Sequence, residues 1–406
     1  MGHQNQTPIV AITGIGITAG VGQGALQIDR ALRYGGNAFR FMNKPGRQRN
    51  GSRFIGSEID ACDVSKFTSI RGGSWSSEVA LATIDECWAD AKLAEIDPSR
   101  IGLIVGGTNL QQRDLVLLHD AYRDRFEFLR PGYGRMFLDS DIGAICSEIF
   151  NITGTVYTVG GASASGHLSI IKAIHAVQSG EVDACIALGA LTDLSYWECQ
   201  GFRALGAMGS ERYSDAPEQA CRPFDRGHDG FIYGESCGAV VIERLKDLRS
   251  TPYAAIAGWS FVNDGHRNPD PSLDGEIQAI RIALEASGLS ARDIDYINPH
   301  GTGSYIGDHT ELRAFRACGL EHAAINATKS ILGHGISSAG TVEVIATLLQ
   351  MRNGYLHPTR NLLEPIDNDF HWIRGEAVPN KIQNALCMSF GFGGISSAIC
   401  LKNLLF

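Results

Sequence analysis

Short apolar segments alternate with helix-like segments along the whole chain. Segments of strand composition lie near residues 9–13, 102–106, 155–159, 184–189 and 237–243, and again near residues 255–262, 294–298, 323–327, 384–389 and 396–401. Apolar residues at helical spacing predict helices near residues 77–92, 274–287, 308–318 and 337–352. Strands that alternate with helices in this way indicate an α/β protein.

The two halves of the chain resemble each other at one place. Residues 163–166 (SASG) and 337–340 (SSAG) both begin a predicted helix after a short strand and a turn that contains glycine. Small side chains let two such helices approach each other closely. A chain of 406 residues is also long for one hydrophobic core. We therefore predict two similar units, residues 1–250 and 251–406.

Two segments do not fit this alternation. Residues 109–140 are the least regular part of the chain, and five arginines lie there among aromatic and acidic residues: Arg113, Arg123, Arg125, Arg130 and Arg135. We interpret the segment as a cap near a dimer interface or a channel mouth; the alternative is that the arginines pair with neighbouring acids. Residues 42–54 also carry several cationic side chains, and we interpret them as a solvated loop.

Composition and charge exclude some classes of function. The net charge of −9 argues against a nucleic-acid-binding surface. The ten cysteines form no Cys-x-x-Cys pair, and residues 1–6 lack the apolar core of a secretory signal. We expect reduced thiols and a cytoplasmic protein. No run of eighteen apolar residues predicts a membrane span.

The candidate chemistry begins at Ser163. Residues 157–167 (YTVGGASASGH) read as a strand, a tight turn and a helix start built from small residues. The start of a helix supplies unpaired backbone N–H groups and a partial positive charge. This geometry suits a nucleophile or a bound oxyanion. A serine ionises far less easily than a cysteine, so Ser163 needs a strong base before it can be acylated.

Five further segments complete a family pattern. They are residues 10–16 (VAITGIG), 221–235 (CRPFDRGHDGFIYGE), 298–304 (NPHGTGS), 327–335 (ATKSILGHG) and 388–394 (MSFGFGG). Together with the turn at Ser163, they resemble the motifs of β-ketoacyl synthases, in family order and over nearly the whole chain. The resemblance implies a thiolase-type α/β fold, in which two pseudo-twofold halves form a five-layered α-β-α-β-α core. The first unit would carry the turn at Ser163, and the second would carry the two histidine loops.

The resemblance also assigns site residues. His300 and His334 would point at a thioester carbonyl oxygen, and Lys329, Asp308 and Glu311 would hold His334 and tune its tautomer. The hydroxyls of Thr302 and Ser304 would bind the pantetheine amide, and the backbone N–H groups of Ser163 and Phe392 would form an oxyanion hole. The catalytic set is thus Ser163, His300, His334, Lys329 and Phe392. The other histidines, including His228 and His309, are expected at the surface, and no metal site is predicted.

Three departures from the family pattern change the functional prediction. Ser163 stands where the family has its nucleophilic cysteine, Ile395-Ser396 stands where Thr-Asn is common, and residues 108–112 (TNLQQ) are polar for an acyl pocket. Decarboxylation of a malonyl thioester needs enolate donors but no nucleophile. We therefore expect a ketosynthase-like decarboxylase that converts malonyl-acyl carrier protein (malonyl-ACP) into acetyl-ACP. It resembles the serine-containing decarboxylases of polyketide β-branching cassettes.

Two alternatives stay open from the sequence. One is a condensing or acyl-transfer enzyme that uses Ser163 as its nucleophile. The other is a non-catalytic partner subunit similar to chain-length factors, although those usually lose the catalytic histidines. We expect no cofactor of the protein's own, since phosphopantetheine arrives on the acyl carrier protein. The expected partners are that carrier protein, a second copy of the chain paired through residues 155–159, and an HMG-CoA-synthase-like enzyme acting downstream.

Overall fold

The computed structural model describes residues 9–49, 51–67 and 72–404. The strands are β1 (Val10–Ala19), β2 (Gly22–Gln23), β3 (Phe39–Phe41), β4 (Ile55–Ser57), β5 (Ile101–Gly106), β6 (Val156–Val159), β7 (Ala184–Gly189), β8 (Tyr233–Gly234), β9 (Ser236–Arg244), β10 (Ala254–Asn263), β11 (Tyr296–Asn298), β12 (Ala324–Ile325), β13 (Tyr355–Leu356), β14 (His371–Trp372), β15 (Val378–Pro379), β16 (Asn384–Gly391) and β17 (Ile395–Lys402). The helices are α1 (Ala25–Arg33), α2 (Trp75–Asp90), α3 (Gln112–Tyr122), α4 (Tyr133–Met136), α5 (Ser140–Phe150), α6 (Ser165–Gln178), α7 (Tyr196–Ala204), α8 (Leu273–Ser287), α9 (Tyr305–Ala317), α10 (Lys329–Leu332) and α11 (Ala339–Asn353). Each strand and helix predicted from the sequence overlaps one of these.

The main sheet joins the two halves of the chain at β1. This strand pairs antiparallel with β9 on one side and with β10 on the other. Within the described residues the strand order is β14-β12-β11-β16-β17-β10-β1-β9-β7-β5-β6. β5 lies between two parallel neighbours, and so does β11. Reactive groups of α/β sheets lie beyond the carboxyl ends of parallel strands, and the loops after β6, β11 and β12 begin at such ends.

Helices cover both faces of each half of the sheet. α2 packs on β1 and β9, and α8 packs on β10 and β17. α6 contacts β5 and β7 but also β17, while α11 contacts β9 but also β16. Because α6 and α11 each contact both halves, they form a central helical layer. The layers therefore follow the order α-β-α-β-α.

The two central helices approach each other through glycines. A Cβ added at Gly166 on α6 would lie 2.6 Å from the backbone nitrogen of Thr341, and one added at Gly340 on α11 would lie 2.8 Å from the ring of His167. Each helix follows a 3-10 turn whose first residue has a positive φ. This residue is Ala162 before α6, with a φ of 48°, and Ile336 before α11, with a φ of 55°. The two helix starts are thus arranged alike, as the repeated small residues predicted.

Caps of short polar residues and glycines set the ends of several helices. Ser74 caps α2 by accepting from the backbone N–H of Ser77, and Ser272 caps α8 in the same way through Gly275. α8 ends at Gly288, whose φ of 69° is the left-handed conformation typical of a helix end. No helix in the described ranges is long and apolar enough to cross a membrane.

The prediction of a solvated loop at residues 42–54 holds for the exposed Arg49 and Arg53 but is wrong for other residues of the segment. Met42 and Phe54 are buried, and Arg47 is fully buried. The Arg47 guanidinium pairs with Asp193 at 2.7 Å and with Glu235. A buried guanidinium is tolerated because it is planar, remains charged and can satisfy several acceptors at once. Asp193 and Glu235 lie far away in sequence, although Glu58, 3.5 Å from Nε of Arg47, lies near it. The segment looked solvated because its distant acids are not visible in the local sequence.

The segment 109–140 is more regular than predicted, since it contains α3 and α4 and reaches the start of α5. Arg113 is buried and pairs with Asp193 at 2.9 Å, and Arg123 pairs with Asp120. Arg125, Arg130 and Arg135 are exposed. The alternative reading, in which some arginines pair with acids, therefore holds for the first two.

Candidate active site

Ser163 lies on the 3-10 turn between β6 and α6. Its hydroxyl oxygen is 3.0 Å from Nε2 of His334. The left-handed residue Ala162 bends the chain sharply just before Ser163, which directs the serine towards the second half of the molecule. The hydroxyl of Ser389, at the end of β16, donates to the backbone carbonyl of Ser163 at 3.2 Å. A Cβ added at Gly391 would lie 2.2 Å from the carbonyl oxygen of Gly161, so this close approach requires glycine.

His300 follows β11 and is fixed through its backbone. The Glu311 carboxylate on α9 accepts from the N–H of His300 at 2.6 Å and from the N–H of Gly301 at 2.8 Å. Gly301 has a φ of 39°, which turns the chain just after the histidine. Burial raises the pKa of Glu311 to about 8, and its two backbone hydrogen bonds act in the opposite direction.

Lys329 holds the side chain of His300. The ammonium of Lys329 lies 3.3 Å from Nδ1 of His300 and also donates to the His300 backbone carbonyl. Since an ammonium can only donate, Nδ1 must accept and the ring proton sits on Nε2. The ammonium is also paired with Glu343 on α11.

The predicted support network therefore serves a different histidine from the one expected. Lys329 and Glu311 hold the His300 loop rather than His334. Asp308 accepts from the backbone N–H groups of Phe224 at 2.6 Å and Gly303 at 3.0 Å, so it fixes the chain after His300. The prediction attached all three residues to His334 on the family resemblance, and motif order does not show which side chains meet.

The sequence analysis missed Glu343. It is buried on a helix whose residues from Ala339 to Met351 are all buried. Burial raises the pKa of Glu343 to about 7, whereas the charge of Lys329 and its hydrogen bond act in the opposite direction. The sequence signal for such a residue is a single acid in a helix of mostly apolar residues, which is expected to be buried. An acid is rarely buried unless it is paired, so Glu343 should have a partner.

A second correction concerns His228, which was expected at the surface. It is buried, and its Nδ1 lies 3.2 Å from the Asp308 carboxylate. Its ring also contacts the rings of Tyr305 and His309. His228 is therefore part of the packing that surrounds Asp308.

His334 is held by its main chain. Its N–H donates to the carbonyl of Ile232 at 2.8 Å, and its carbonyl accepts from the N–H of Gly234 at 3.2 Å. The rings of His300 and His334 are 5.4 Å apart and nearly perpendicular. Among the described residues, Nδ1 of His334 has no hydrogen-bond partner.

Both imidazoles are neutral near pH 7. Burial, and after it the charge of Lys329, lowers the pKa of His300 and of His334 well below the usual value. A neutral imidazole that carries its proton on Nε2 donates a hydrogen bond without bringing a charge. Two neutral rings converging beside Ser163 suit a carbonyl oxygen that gains negative charge during a reaction.

A cavity of about 140 Å³ lies in front of these groups. Ser163, His300 and His334 line it, together with the remaining predicted site residues Thr302, Ser304, Asp308, Glu311 and Phe392. The Thr302 hydroxyl donates to the Ser304 hydroxyl at 2.9 Å, which places the two side by side. Phe392 is 39% exposed and lies against Phe202, with ring centroids 6.3 Å apart. Lys329 is the one predicted site residue that does not line the cavity, because it lies behind His300.

Comparisons with known proteins identify related sequences. The model of the β-ketoacyl synthase N-terminal domain matches residues 8–248, and that of the C-terminal domain matches residues 253–363. The chain is 56% identical to the polyketide biosynthesis malonyl-ACP decarboxylase PksF of Bacillus subtilis strain 168, over 98% of this chain and 97% of that protein. It is 30% identical to 3-oxoacyl-[acyl-carrier-protein] synthase 1 of Escherichia coli K12, over 97% of this chain and 98% of that protein.

A solved structure shows the same fold. It is a type II PKS acyl-carrier protein in complex with its ketosynthase bound to the hexaketide. The match has a TM-score of 0.87 at 24% identity and covers 98% of this chain and 100% of that chain. The predicted thiolase-type α/β fold is thereby confirmed. With both family models matched and close relatives aligned over nearly its whole length, the chain belongs to the β-ketoacyl synthase family.

Proposed function

We propose that this chain is a ketosynthase-like decarboxylase that converts malonyl-ACP into acetyl-ACP in polyketide biosynthesis. The observation that carries the proposal is the pair of buried, neutral imidazoles of His300 and His334 beside a serine in place of the family's cysteine. The groups that promote decarboxylation are kept, and the group that accepts an acyl chain is altered. The extensive similarity to PksF, named a malonyl-ACP decarboxylase, supports the same reaction.

The proposed chemistry needs no covalent intermediate. The bond between C2 and the carboxylate of the malonyl group breaks, CO2 leaves, and the electron pair forms an enolate. Negative charge develops on the thioester oxygen, where Nε2–H of His300 and the His334 imidazole donate hydrogen bonds. Such preorganised donors act strongly in a site that excludes water. A proton added to C2 then gives the acetyl thioester.

The substrate arrives on an acyl carrier protein. The adjacent hydroxyls of Thr302 and Ser304 line the cavity beside His300 and suit the amide groups of a phosphopantetheine arm. The exposed arginines Arg125, Arg130 and Arg135 suit an acidic carrier. An HMG-CoA-synthase-like enzyme that consumes the acetyl-ACP is the partner proposed downstream.

One observation favours a second function, a condensing or acyl-transfer enzyme with Ser163 as its nucleophile. The Ser163 hydroxyl lies 3.0 Å from Nε2 of His334, as in a nucleophile paired with its base. Two features weaken this reading. Burial lowers the pKa of His334, which makes it a poor base, and within the described residues no group orients it through Nδ1. The non-catalytic alternative is disfavoured because both histidines are present and face the cavity.

Mass spectrometry of malonyl-ACP incubated with the purified protein tests the proposal. We expect the malonyl form to lose one CO2 without any added acyl acceptor. Ser163→Ala serves as the discriminating variant, because it removes the nucleophile but keeps the backbone N–H. Malonyl-ACP that stays unchanged at enzyme excess would refute the decarboxylase. An acyl ester trapped on Ser163, together with an inactive Ser163→Ala variant, would support the second function instead.

We also propose that two copies of the chain pair through β6. This strand is the last in the main sheet, with β5 as its neighbour on one side. Tyr157 on β6 is 40% exposed. An open strand edge invites pairing with another chain, and a twofold axis would close both edges at once. Sedimentation analysis at micromolar concentration should give a dimer, and Thr158→Pro should weaken it. A wild-type monomer would contradict the proposal.

A further inference from the structure

A carboxyl group that the mechanism above does not use lies in the wall of the active-site cavity. Glu276 is on the first turn of α8 and is 1% exposed. Neither of its carboxyl oxygens has a hydrogen-bond partner among the described residues, and within those ranges no other buried carboxyl group leaves both oxygens unpaired. Burying a polar group without a partner costs free energy. A side chain that bears this cost calls for a functional explanation.

Glu276 faces the reactive groups. It lines the same cavity as Ser163, His300 and His334. Glu311 on α9, the residue that holds the backbone of His300, lies close enough to interact with it electrostatically. Burial, and then the charge of Glu311, raises the pKa of Glu276 well above its usual value. This shift favours the protonated form of the side chain.

The position of Glu276 coincides with a departure from the family pattern. Ser396 on β17 stands where the family commonly has asparagine, and it lines the cavity next to Glu276. A Cβ added at Gly275 would lie 3.4 Å from the Ser396 hydroxyl, so the start of α8 packs directly against this serine. Glu276 lies on this same first turn of α8.

A decarboxylase has a chemical need that a condensing enzyme lacks. In condensation the enolate carbon attacks an acyl group and forms a carbon–carbon bond. In decarboxylation alone the same carbon must receive a proton, so the site must supply a donor. Neutral His300 and His334 are engaged at the thioester oxygen, and both carboxyl oxygens of Glu311 are occupied by backbone N–H groups. Glu276 is then the buried carboxyl of the cavity wall whose oxygens are both unpaired among the described residues.

We propose that Glu276 is a further catalytic residue, which delivers the proton that turns the enolate into the acetyl group. This inference rests on the proposed decarboxylase function. The O–H bond of Glu276 breaks, the proton bonds to C2 of the enolate, and the enolate electron pair forms the new C–H bond. The Glu276 carboxylate takes up a proton from water after the product leaves. General acid catalysis of this kind typically contributes about 100-fold or more to a rate.

The test uses the full chain with Glu276→Gln, an isosteric variant that cannot donate an acidic proton. Glu285→Gln is the matched control, since Glu285 is exposed on the same helix. We expect Glu276→Gln to turn malonyl-ACP over about 100-fold more slowly, while the control keeps the wild-type rate. Glu276→Asp should recover part of the rate, because a shorter acid is still an acid. Thermal melting curves establish that each variant is folded.

The pH profile separates a proton donor from a structural residue. The wild-type rate should fall as pH rises through the pKa of Glu276, and Glu276→Gln should lack this decline. Both the wild type and Glu276→Gln contain the other titratable groups that line the cavity: Asp264, Asp270, Asp308, Glu311, His300 and His334. Because they are common to both proteins, the difference between the two profiles reports on Glu276.

Infrared spectroscopy supplies a readout that needs no substrate. Because the pKa values of Glu311 and Glu343 are also raised, the readout is the difference between the spectra of the wild type and Glu276→Gln. At neutral pH this difference should contain the C=O stretch of one protonated carboxyl. Absence of this band, or a Glu276→Gln variant with wild-type turnover, would overturn the inference while leaving the decarboxylase intact. A wild type that shows the band but leaves malonyl-ACP unchanged would refute the proposed function, and the proton-donor role with it.

Discussion

The ion pair behind His300 gives a prediction that separates catalysis from stability. Lys329 and Glu343 are 2% and 1% exposed, and the Lys329 ammonium also contacts Nδ1 of His300 at 3.3 Å. Lys329→Met leaves the Glu343 carboxyl buried without its cation, and breaking such a pair typically costs about 3–5 kcal/mol of unfolding free energy. Since the pKa of Glu343 is already raised to about 7, the carboxyl can take up a proton, and the loss should be larger at pH 8 than at pH 6.

The double variant Lys329→Met/Glu343→Met separates the contribution of Lys329 to turnover from its contribution to stability. With both charges gone, the unfolding free energy should return towards the wild-type value, because well-packed apolar residues often replace a buried pair without loss. Turnover should not return. His300 has lost the donor that keeps its ring proton on Nε2, and loss of one oxyanion donor typically lowers turnover about 100-fold or more.

Urea unfolding and the malonyl-ACP mass assay measure the two quantities on the same samples. A stable double variant that turns over at the wild-type rate would refute the reasoning, since Lys329 would then have a structural role only. A double variant that is both slow and unstable would show that the two methionine side chains do not pack well in the core. Lys329→Met/Glu343→Leu would then repeat the comparison with an apolar side chain of a different shape.

Three further outcomes are expected. In the mass assay, Ser163→Ala should retain most of the decarboxylation rate, whereas His300→Ala and His334→Ala should each lose about 100-fold or more; a loss in Ser163→Ala equal to theirs would make the hydroxyl essential. Burial lowers the pKa of His357 from 6.5 to about 4, so the unfolding free energy should fall by about 3 kcal/mol as pH drops through this window, because the unfolded chain binds the proton first. Urea titrations at several pH values, with His357→Gln for comparison, check this decline. Arg130→Glu should raise KM for malonyl-ACP but not for a small malonyl-pantetheine thioester, and the carrier reaction should slow as salt rises; equal damage to both substrates would assign the arginine to the fold.

The fold could be predicted from the sequence because its signals are local. Apolar strands, helical spacing and glycine turns each act over a few residues, and every predicted strand and helix overlaps an observed one. β12 is nevertheless much shorter than predicted, since residues 323–327 give only Ala324–Ile325. Apolar residues beside a short strand can be buried without joining its ladder, and apolar pattern alone does not separate the two cases.

The positions of Ser163, His300 and His334 could also be predicted, because each follows a strand in a recognisable motif. The side chains that contact these residues could not be predicted. Lys329 was assigned to His334, although its ammonium contacts His300 and Glu343. Whether two side chains meet depends on how distant strands and helices stack, and that information is spread over the whole chain.

The sequence by itself determined the α/β architecture, the family pattern and the exchange of cysteine for Ser163, because these follow from local composition and motif order. The tertiary structure alone decided which charges are buried and what neutralises them. Arg47 looked like part of a solvated loop, yet it is fully buried beside Asp193 and Glu235. Glu276 lies within the predicted helix near residues 274–287 and was not singled out, yet it lies unpaired, among the described residues, in the cavity wall. The sequence does not distinguish an exposed charged residue from a buried one. The packing of distant segments decides how much water surrounds the charge and which opposite charge lies beside it.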